Sequence, residues 1–276
     1  MWHSAWWLFL STVVDVGLNQ SEQRSQALEF SRSIESSKQF EVSLVDSLGE
    51  GAGCFDSDPR YEVQTVNCQT WLQWVLADAY ARGNKYHFRR NMDVLRYYEE
   101  ISFAHRKHFI DRWILYAPEP LMTIDLPSCQ SDQSQLITLQ LSAFRNQQQF
   151  LMPLFQESAS GTEQHVVSYL SIEQSNRCAE SLPEGWYVGF FVANDTWLSK
   201  WSSIGQMGLV HSMILEKTEG QLFIHHASMD AKRVIKEPWI DFQHRLGVVA
   251  KGYRFFGLDP TWAPGRELPV GESRCQ

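Results

Sequence analysis

The chain has 276 residues, of which 43% are hydrophobic and 20% charged, and its formal net charge is -8. This composition is typical of a globular protein with one large core or two small ones, and it excludes a disordered chain. The acidic balance, with a pI near 5.6, argues against a general nucleic-acid-binding protein, because such proteins carry a basic surface.

The N-terminal segment is apolar over only ten residues, "AWWLFLSTVV", which is too short to span a bilayer. We therefore expect no stable transmembrane segment. Residues 1–18 lack the positive flank and the cleavage site of a secretory signal, so a degenerate signal, a mis-assigned start and a packed segment remain alternatives. Residues 1–40 are predicted to form an N-terminal helical segment with a helix over 21–37, and residues 41–276 to form a single domain.

A helix with a cysteine at its start is predicted over "TVNCQTWLQWVLADAYARG", residues 65–83. Apolar residues recur there at three- and four-residue steps, which is typical of a buried helix face. Asn67 or Thr65 can cap the start, and Gly83 can end the helix in a left-handed conformation. A thiol at a helix N-terminus lies near free N–H groups that favour the thiolate, although a lone cysteine on an apolar face is more often a packing residue.

Two further features of the sequence leave alternatives open. The stretch 81–112 is rich in Arg, Lys and His, and it is either a solvated basic face or a cleft wall that receives carboxylates. The five cysteines leave at least one thiol free. We expect either five reduced thiols or a free Cys68 with the disulfides Cys129–Cys178 and Cys54–Cys275, which would suit an oxidising compartment such as a bacterial periplasm.

The second half of the chain changes character. Residues 117–165 are polar and rich in glutamine, and we interpret them as an inserted, lid-like segment. From Tyr187 onward the segments "WYVGFFVA", "GLVHSMIL", "QLFIHHAS" and "HRLGVVAKGYRFF" have the pattern of strands. Helices followed by consecutive strands predict an α+β fold with a central antiparallel sheet packed against the helix that bears Cys68.

One β-hairpin supplies candidate partners for the thiol. A turn at Lys217–Gly220, centred between Thr218 and Glu219, pairs the strands as Leu215 with Leu222, Met213 with Ile224 and His211 with His226. Residues directly opposite share a face of the sheet, so His211 and His226 end an apolar face while His225 lies on the other. A one-residue slip would reverse that choice.

These histidines allow three interpretations. They could be satisfied core or edge residues, or they could form a zinc site together with the cysteine, although the chain has no HExxH or CxxC spacing. The third interpretation is a thiol with a histidine base and a second group that orients the base, which are the roles that cysteine hydrolases need.

The runs "DSDPRYEVQTVNCQTWLQWVLADA", "RYYEEISFAHRKHFIDRWI", "GWYVGFFVAND" and "LVHSMILEKTEGQLFIHHASMDAKRV" resemble the N-acetylmuramoyl-L-alanine amidase-like family. That family belongs to the NlpC superfamily of papain-fold cysteine peptidases, and the resemblance extends discontinuously from about Leu48 to Phe256. It implies a papain-like, NlpC-type fold and hydrolysis of the amide between N-acetylmuramic acid and L-alanine of peptidoglycan or its fragments.

The resemblance also implies residue roles. Cys68 matches the family nucleophile, His211 the base and His226 the residue that orients the base. Arg106 and His108 match an Arg-x-His motif near the substrate, and Trp113 follows it as a further substrate-binding candidate. No metal or other cofactor is expected, the partner is a muropeptide, and the location is periplasmic or secreted.

Two residues depart from the family pattern. Asn67 replaces the usual Asp before the cysteine, and Met213 replaces the usual Gly two residues after the base, where it could reshape the pocket floor. Other activities therefore stay open: an endopeptidase that cuts the stem peptide, a thiol acyltransferase, or a non-catalytic module that binds cell-wall fragments.

Overall fold

The protein is described from a computed structural model over residues 20–44, 46–49, 58–102, 105–107, 110, 113–114, 120–130, 136–140, 164–194, 196, 208–264 and 267–271. It is a mixed α/β structure with an antiparallel sheet, as the sequence predicts. The helices are α1 (Gln20–Ser37), α2 (Cys68–Ala81), α3 (Lys85–Arg96), α4 (Ile172–Ser181) and α5 (Trp239–Leu246).

The strands are short in the first half of the chain and long in the second. They are β1 (Glu41–Val42), β2 (Thr65–Val66), β3 (Leu121–Met122), β4 (Leu136–Gln140), β5 (Gln164–Ser168), β6 (Leu170–Ser171), β7 (Gly185–Ala193), β8 (Leu209–Thr218), β9 (Gln221–Ser228), β10 (Arg233–Pro238) and β11 (Ala250–Leu258). The main sheet has the order β10-β9-β8-β7-β11-β3, with β6 also paired to β11. β1–β2 and β4–β5 form two small separate sheets.

The main sheet is covered on both faces, because its strands alternate apolar side chains between two buried clusters. The first cluster joins one face to α1, α2 and α3, and it includes Phe30, Trp71, Leu76, Phe190 and Ile214. The second joins the other face to α4 and α5, and it includes Cys178, Met213, Ile224, Phe242 and Tyr253. The fold therefore has helices on either side of one sheet.

The predicted N-terminal helix is present and contributes to the first cluster. Phe30 and Ile34 on α1 are 1% and 3% exposed, so this helix packs into the same core as α2. Residues 1–18, with the apolar segment, lie outside the described residues. Among the residues that are described, no helix is both long enough and apolar enough to cross a membrane.

The hairpin β8–β9 forms, but its register differs from the prediction. Its turn is Glu219–Gly220, which follows the Thr218–Gln221 pair, and both turn residues have positive φ (52° and 72°), as a tight two-residue hairpin requires. Leu215 consequently lies opposite Ile224 rather than Leu222. Each residue of β8 is therefore paired two positions further along β9 than predicted. Because side chains alternate between faces with a period of two, every side chain keeps its predicted face.

A disulfide anchors the segment that lies between the helical and the strand-rich parts of the chain. Cys129, in a 3₁₀ turn over Pro127–Cys129, is bonded to Cys178 on α4, as one of the two expectations had it. Cys54 and Cys275 lie outside the described residues, and so does most of the predicted lid-like insertion. At the base of that insertion, β4 and β5 pair antiparallel.

Candidate active site

Cys68 is the first residue of α2, and the helix start around it is capped by a side chain. Asn67 is the N-cap residue, and its Oδ1 accepts a hydrogen bond of 2.9 Å from the backbone N–H of Thr70. Asparagine is among the preferred N-cap residues for this reason. At the far end, Arg82 and Gly83 have φ of 49° and 79°, which ends the helix in the left-handed region as predicted.

A buried carboxylate lies under this helix start. Asp46 Oδ2 accepts hydrogen bonds from Asn67 Nδ2 at 3.0 Å and from the Thr70 hydroxyl at 2.8 Å. Arg106 Nη2 donates to both oxygens of the same carboxylate, at 2.9 and 3.2 Å. Burial acts to raise the pKa of Asp46, but Arg106, Arg96 and the hydrogen bonds outweigh it and hold that pKa below its ordinary value.

The Asn67 departure has a structural reason in these contacts. The amide of Asn67 accepts from the helix and donates to Asp46, which a carboxylate at that position could not do. An aspartate there would set a second negative charge against Asp46. The negative charge beside the helix start is therefore that of Asp46. Asn67, the residue before Cys68, links this carboxylate to α2 through its two hydrogen bonds.

Ser212 on β8 fixes the other side of Cys68. Its hydroxyl donates to the backbone carbonyl of Cys68 at 2.7 Å. Burial is the largest influence on the Cys68 thiol and raises its pKa, whereas hydrogen bonds from Ser212 and from the N–H groups of Gln69 and Cys68 lower it. Burial prevails, so the unliganded cysteine is a neutral thiol and the helix N-terminus alone does not make it a thiolate.

His211 and His226 are brought together, as the sequence predicted, but along a diagonal of the ladder. His211 Nε2 lies 3.0 Å from His226 Nδ1, and the rings meet edge to face with centroids 5.0 Å apart. Near His211 the register between β7 and β8 shifts by one residue, between the Phe191 and Val192 pairs. Such a bulge redirects side chains at the end of a strand.

Both imidazoles are kept neutral. Burial, the neighbouring His226 and Arg245 together place the pKa of His211 well below its ordinary value of 6.5. Burial first and Arg245 second lower the pKa of His226 to about 3. The resting arrangement is thus an uncharged thiol and two uncharged rings, and His211 keeps a lone pair that can take a proton.

The chain of hydrogen bonds continues past His226. His226 Nε2 lies 2.7 Å from Glu237 Oε1, at the end of β10. Arg245 on α5 donates from Nη2 to the same Glu237 oxygen and lies 3.8 Å from the exposed Asp230 through Nη1. The prediction stopped at His226, so Glu237 and Arg245 are additions from the structure.

A cavity of about 490 Å³ joins Cys68 to the histidines. Cys68, Asn67, His211, His226 and Arg245 all line it. Most of the rest of its wall is apolar, including Leu44, Phe191, Val210, Phe242, Leu246 and Val249. The cavity opens where β8 begins and β9 ends, which is also where α2 begins.

The helix and the histidines reach this cavity from opposite faces of the sheet. Ser212, which contacts Cys68, and Ile214 belong to the face that packs on α2, whereas His211 packs near Phe242 of α5, with ring centroids 6.4 Å apart. The sequence predicted only that α2 packs on this sheet and did not assign a face. The cysteine and the histidines come together at the end of the strands, where all three line the cavity.

Met213 does not shape the cavity, contrary to expectation. It is fully buried in the second cluster and lies directly opposite Gly189 of β7. A Cβ on Gly189 would lie 2.8 Å from Cδ1 of Leu215 and 3.0 Å from Cγ of Met213. The space for the methionine is therefore provided by the missing side chain of Gly189.

The three substrate-binding candidates have different outcomes. Arg106 pairs with Asp46 and supports the helix start rather than lining the cavity. Trp113 is 0% exposed and packs edge to face against Phe190 in the first cluster, so its assignment as a substrate-binding residue is wrong. His108 lies outside the described residues.

The solvated-face interpretation of the basic stretch is confirmed for its first part, where Arg82, Lys85, His87 and Arg89 are exposed. Neither interpretation fits two later members. Arg96 is 2% exposed, and its guanidinium donates to the carbonyls of Leu48, Gly49 and Arg60. Lys107 is 4% exposed, donates to the carbonyl of Val94 at 2.7 Å, and has its pKa lowered to about 7 by burial. These cations organise the chain internally.

The protein has a mixed α/β fold with an antiparallel sheet. This fold brings a cysteine at a helix start and a pair of hydrogen-bonded histidines to one cavity. The sequence pattern of the AmiA-like, N-acetylmuramoyl-L-alanine amidase-like family matches residues 43–247, well over half of the chain. The chain therefore belongs to the N-acetylmuramoyl-L-alanine amidase-like family. No curated protein matches the sequence.

Solved structures share the fold at low sequence identity. The protein LPG0564 from Legionella pneumophila is 19% identical, with a TM-score of 0.68 over 91% of this chain and 96% of its own. An N-acetylmuramoyl-L-alanine amidase from Bacteroides uniformis is 16% identical, with a TM-score of 0.59 over 84% and 98%. A putative xylanase from Bacteroides fragilis is 18% identical, with a TM-score of 0.58 over 82% and 99%.

Proposed function

We propose that this protein is a cysteine amidase that hydrolyses the N-acetylmuramoyl–L-alanine bond of peptidoglycan or its fragments. Cys68 is the nucleophile, His211 the general base and His226 the residue that orients it, on a papain-like, NlpC-type fold. The observation that carries the proposal is the single cavity in which Cys68, at a helix N-terminus, shares a wall with the bonded His211–His226 pair. Family membership supplies the substrate class.

The resting charges determine how the thiol is activated. Because burial raises the pKa of Cys68 and lowers that of His211, the pair is neutral before substrate binds. The proton of Cys68 passes to His211 as the sulfur attacks the lactyl carbonyl, and the developing oxyanion is stabilised by N–H groups at the start of α2, each worth roughly 3–4 kcal/mol.

The remaining steps use the same groups. His211 returns the proton to the leaving nitrogen of L-alanine, which leaves the lactyl group as a thioester on Cys68. Water then attacks the thioester, gives a proton to His211, and releases the lactyl carboxylate while the thiol recovers its proton. The largely apolar cavity wall suits the methyl groups that flank this scissile amide on both the lactyl and alanyl sides.

The apolar wall also favours a second candidate, thiol acyl transfer, because it can equally receive an apolar acyl group. In that reaction an amine rather than water would attack the thioester. The two are separated by the product, which is a carboxylate for hydrolysis and a new amide for transfer. An extracytoplasmic location is proposed together with the cell-wall substrate, in keeping with the disulfide Cys129–Cys178.

The test is mass spectrometry of a defined muramyl tripeptide incubated with the wild-type protein, Cys68→Ala and Cys68→Ser. We expect sugar-free tripeptide with a free L-alanine terminus from the wild type, and no turnover from either variant. Unfolding midpoints should stay close to wild type, because Cys68 is only partly buried. Product from Cys68→Ala would contradict the mechanism, and cleavage at another peptide bond would point to an endopeptidase.

A further inference from the structure

We propose that Glu237 is the positioning residue that fixes the tautomers of both active-site histidines, so that Nδ1 of His211 presents its lone pair for the Cys68 proton. The inference rests on the proposed function for its catalytic meaning, although its structural content does not need a substrate. It follows from which atom donates and which atom accepts in the two hydrogen bonds that link His211 to His226 and His226 to Glu237.

The first step concerns His226. A neutral imidazole carries one N–H, and burial together with Arg245 lowers the pKa of His226 to about 3, so the ring is neutral near pH 7. Its Nε2 lies 2.7 Å from Glu237 Oε1. An ionised carboxylate can only accept, so the proton must be on Nε2, and Nδ1 of His226 is left as an acceptor.

The second step transfers this choice to His211. His226 Nδ1 lies 3.0 Å from His211 Nε2, and since it can only accept there, His211 must donate from Nε2. His211 is neutral as well, so its Nδ1 carries no proton. This is the ring nitrogen that remains for Cys68. A reversed tautomer would place an N–H there and remove the base.

Arg245 holds the Glu237 oxygen that accepts the hydrogen bond from His226. A guanidinium only donates, and Arg245 donates to the same Oε1 of Glu237 that faces His226. Arg245 Nη2 also lies 3.5 Å from His226 Nε2, where it could donate only to a bare nitrogen, but the carboxylate oxygen at 2.7 Å is much closer and places the proton on Nε2. Glu237 is therefore the acceptor among the described neighbours of His226 Nε2, and its oxygen is held in place by the cation.

Glu237 also balances charge during turnover. When His211 takes the proton of Cys68, its imidazolium keeps both protons and is stabilised through the hydrogen bond to His226, which in turn donates to the Glu237 carboxylate. Charged and titratable groups facing this chain are Arg245 and the exposed Asp230 on the cavity side, Cys68 across the cavity, and His225 behind β9. Loss of Glu237 leaves Arg245 as the near charge, which opposes the imidazolium.

The experiment uses the whole chain labelled with ¹⁵N in its histidines. Ring-nitrogen shifts near pH 7.5 report the tautomers, and kcat and KM on the muramyl tripeptide report catalysis. The variants are Glu237→Gln, which keeps an oxygen that Arg245 can hold, Glu237→Ala, and Glu237→Leu, which removes the acceptor but keeps most of the volume. Glu216→Ala is the matched control, because Glu216 accepts from His225 at 2.7 Å outside the cavity.

In the wild type we expect a bare Nδ1 on both His211 and His226. Glu237→Gln keeps these tautomers and lowers kcat about 10-fold, whereas Glu237→Ala and Glu237→Leu give mixed tautomers and lower kcat about 100-fold with little change in KM. Glu216→Ala leaves the tautomers of His211 and His226 and kcat as in wild type.

A protonated Nδ1 on His211 in the wild type would overturn the inference, as would wild-type tautomers and kcat in a folded Glu237→Leu. If no muramyl substrate is cleaved, the proposed function fails, but the tautomer spectra still decide the role of Glu237. If Glu237→Ala does not fold, Glu237→Leu and the wild-type spectrum decide it.

Discussion

Two chemically similar chains of histidine, glutamate and cation lie back to back in the main sheet. On one face His226 Nε2 lies 2.7 Å from Glu237, which pairs with Arg245. On the other face His225 Nε2 lies 2.7 Å from Glu216, which pairs with Lys236 at 2.6 Å. Adjacent residues of β9 thus hold the same type of pair, because successive side chains of a strand point to opposite faces.

The difference lies in the second nitrogen of each ring. Nδ1 of His226 is bonded to His211 and so connects to the cavity, whereas Nδ1 of His225 is buried without a hydrogen-bond partner among the described residues. His225 instead packs beside Trp186, with ring centroids 5.6 Å apart. A histidine paired to a carboxylate is therefore not enough to indicate a site, and a second partner with access to a cavity is what distinguishes one.

The largest expected contrast is in turnover. His226→Gln should lower kcat by about 100-fold or more, because the ring that orients His211 is lost. His225→Gln should change kcat less than about twofold and act on stability instead, since it removes a buried ring from the sheet. Steady-state kinetics on the muramyl tripeptide measures both. Equal losses in the two variants would remove the functional difference between the faces.

A second contrast concerns the two cations. Arg245 lowers the pKa of His211 and of His226, so Arg245→Met should raise both and move the acid limb of kcat/KM upward by about one pH unit. Lys236→Met should leave that limb unchanged, because Lys236 acts on Glu216 and His225. A pH–rate profile from pH 4 to 9 tests this, and a downward shift in Arg245→Met would contradict the assigned sign.

The smallest effect is on stability. The hydrogen bond from His225, aided by Lys236, outweighs burial and lowers the pKa of Glu216 from 4.5 to about 2. The unfolded state therefore binds the proton more readily, and the carboxylate stabilises the fold above pH 4.5 and stops doing so as the pH falls towards 2. Glu216→Gln should lose about 1 kcal/mol at pH 7, and this difference should shrink below pH 4.5 and be largely gone near pH 2, measured by urea denaturation.

The sequence predicted the parts of the site that depend on local periodicity. Cys68 at the start of α2 follows from the apolar spacing and the cap at Asn67, and the pairing of His211 with His226 follows from strand alternation. The predicted face of each histidine is correct although the turn lies one residue later, at Glu219–Gly220. The strand pairing is displaced by two residues, and a displacement of two leaves the alternation of faces unchanged.

The missing parts depend on contacts that no local pattern encodes. Asp46 meets Arg106 across 60 residues, and Glu237 reaches His226 from a strand that was not predicted. Alternation along "RVIKEP" could have placed Glu237 on the face of His226 if β10 had been recognised, since its partner strand β9 was already known. The face on which α2 packs could not be inferred, because both faces of the sheet are apolar.

The packing of Met213 into the space left by Gly189 has an evolutionary consequence. A side chain at position 189 would collide with Met213 and Leu215, so the effect of a substitution at either position depends on the residue at the other. Glycine at 213 would remove the contacts with Met213 Cγ and Sδ, and Leu215 Cδ1, the end of a flexible side chain, would then have room to turn away from a residue at 189. The two sites are therefore epistatic: a smaller residue at 213 has to be in place before a side chain at 189 can be accommodated.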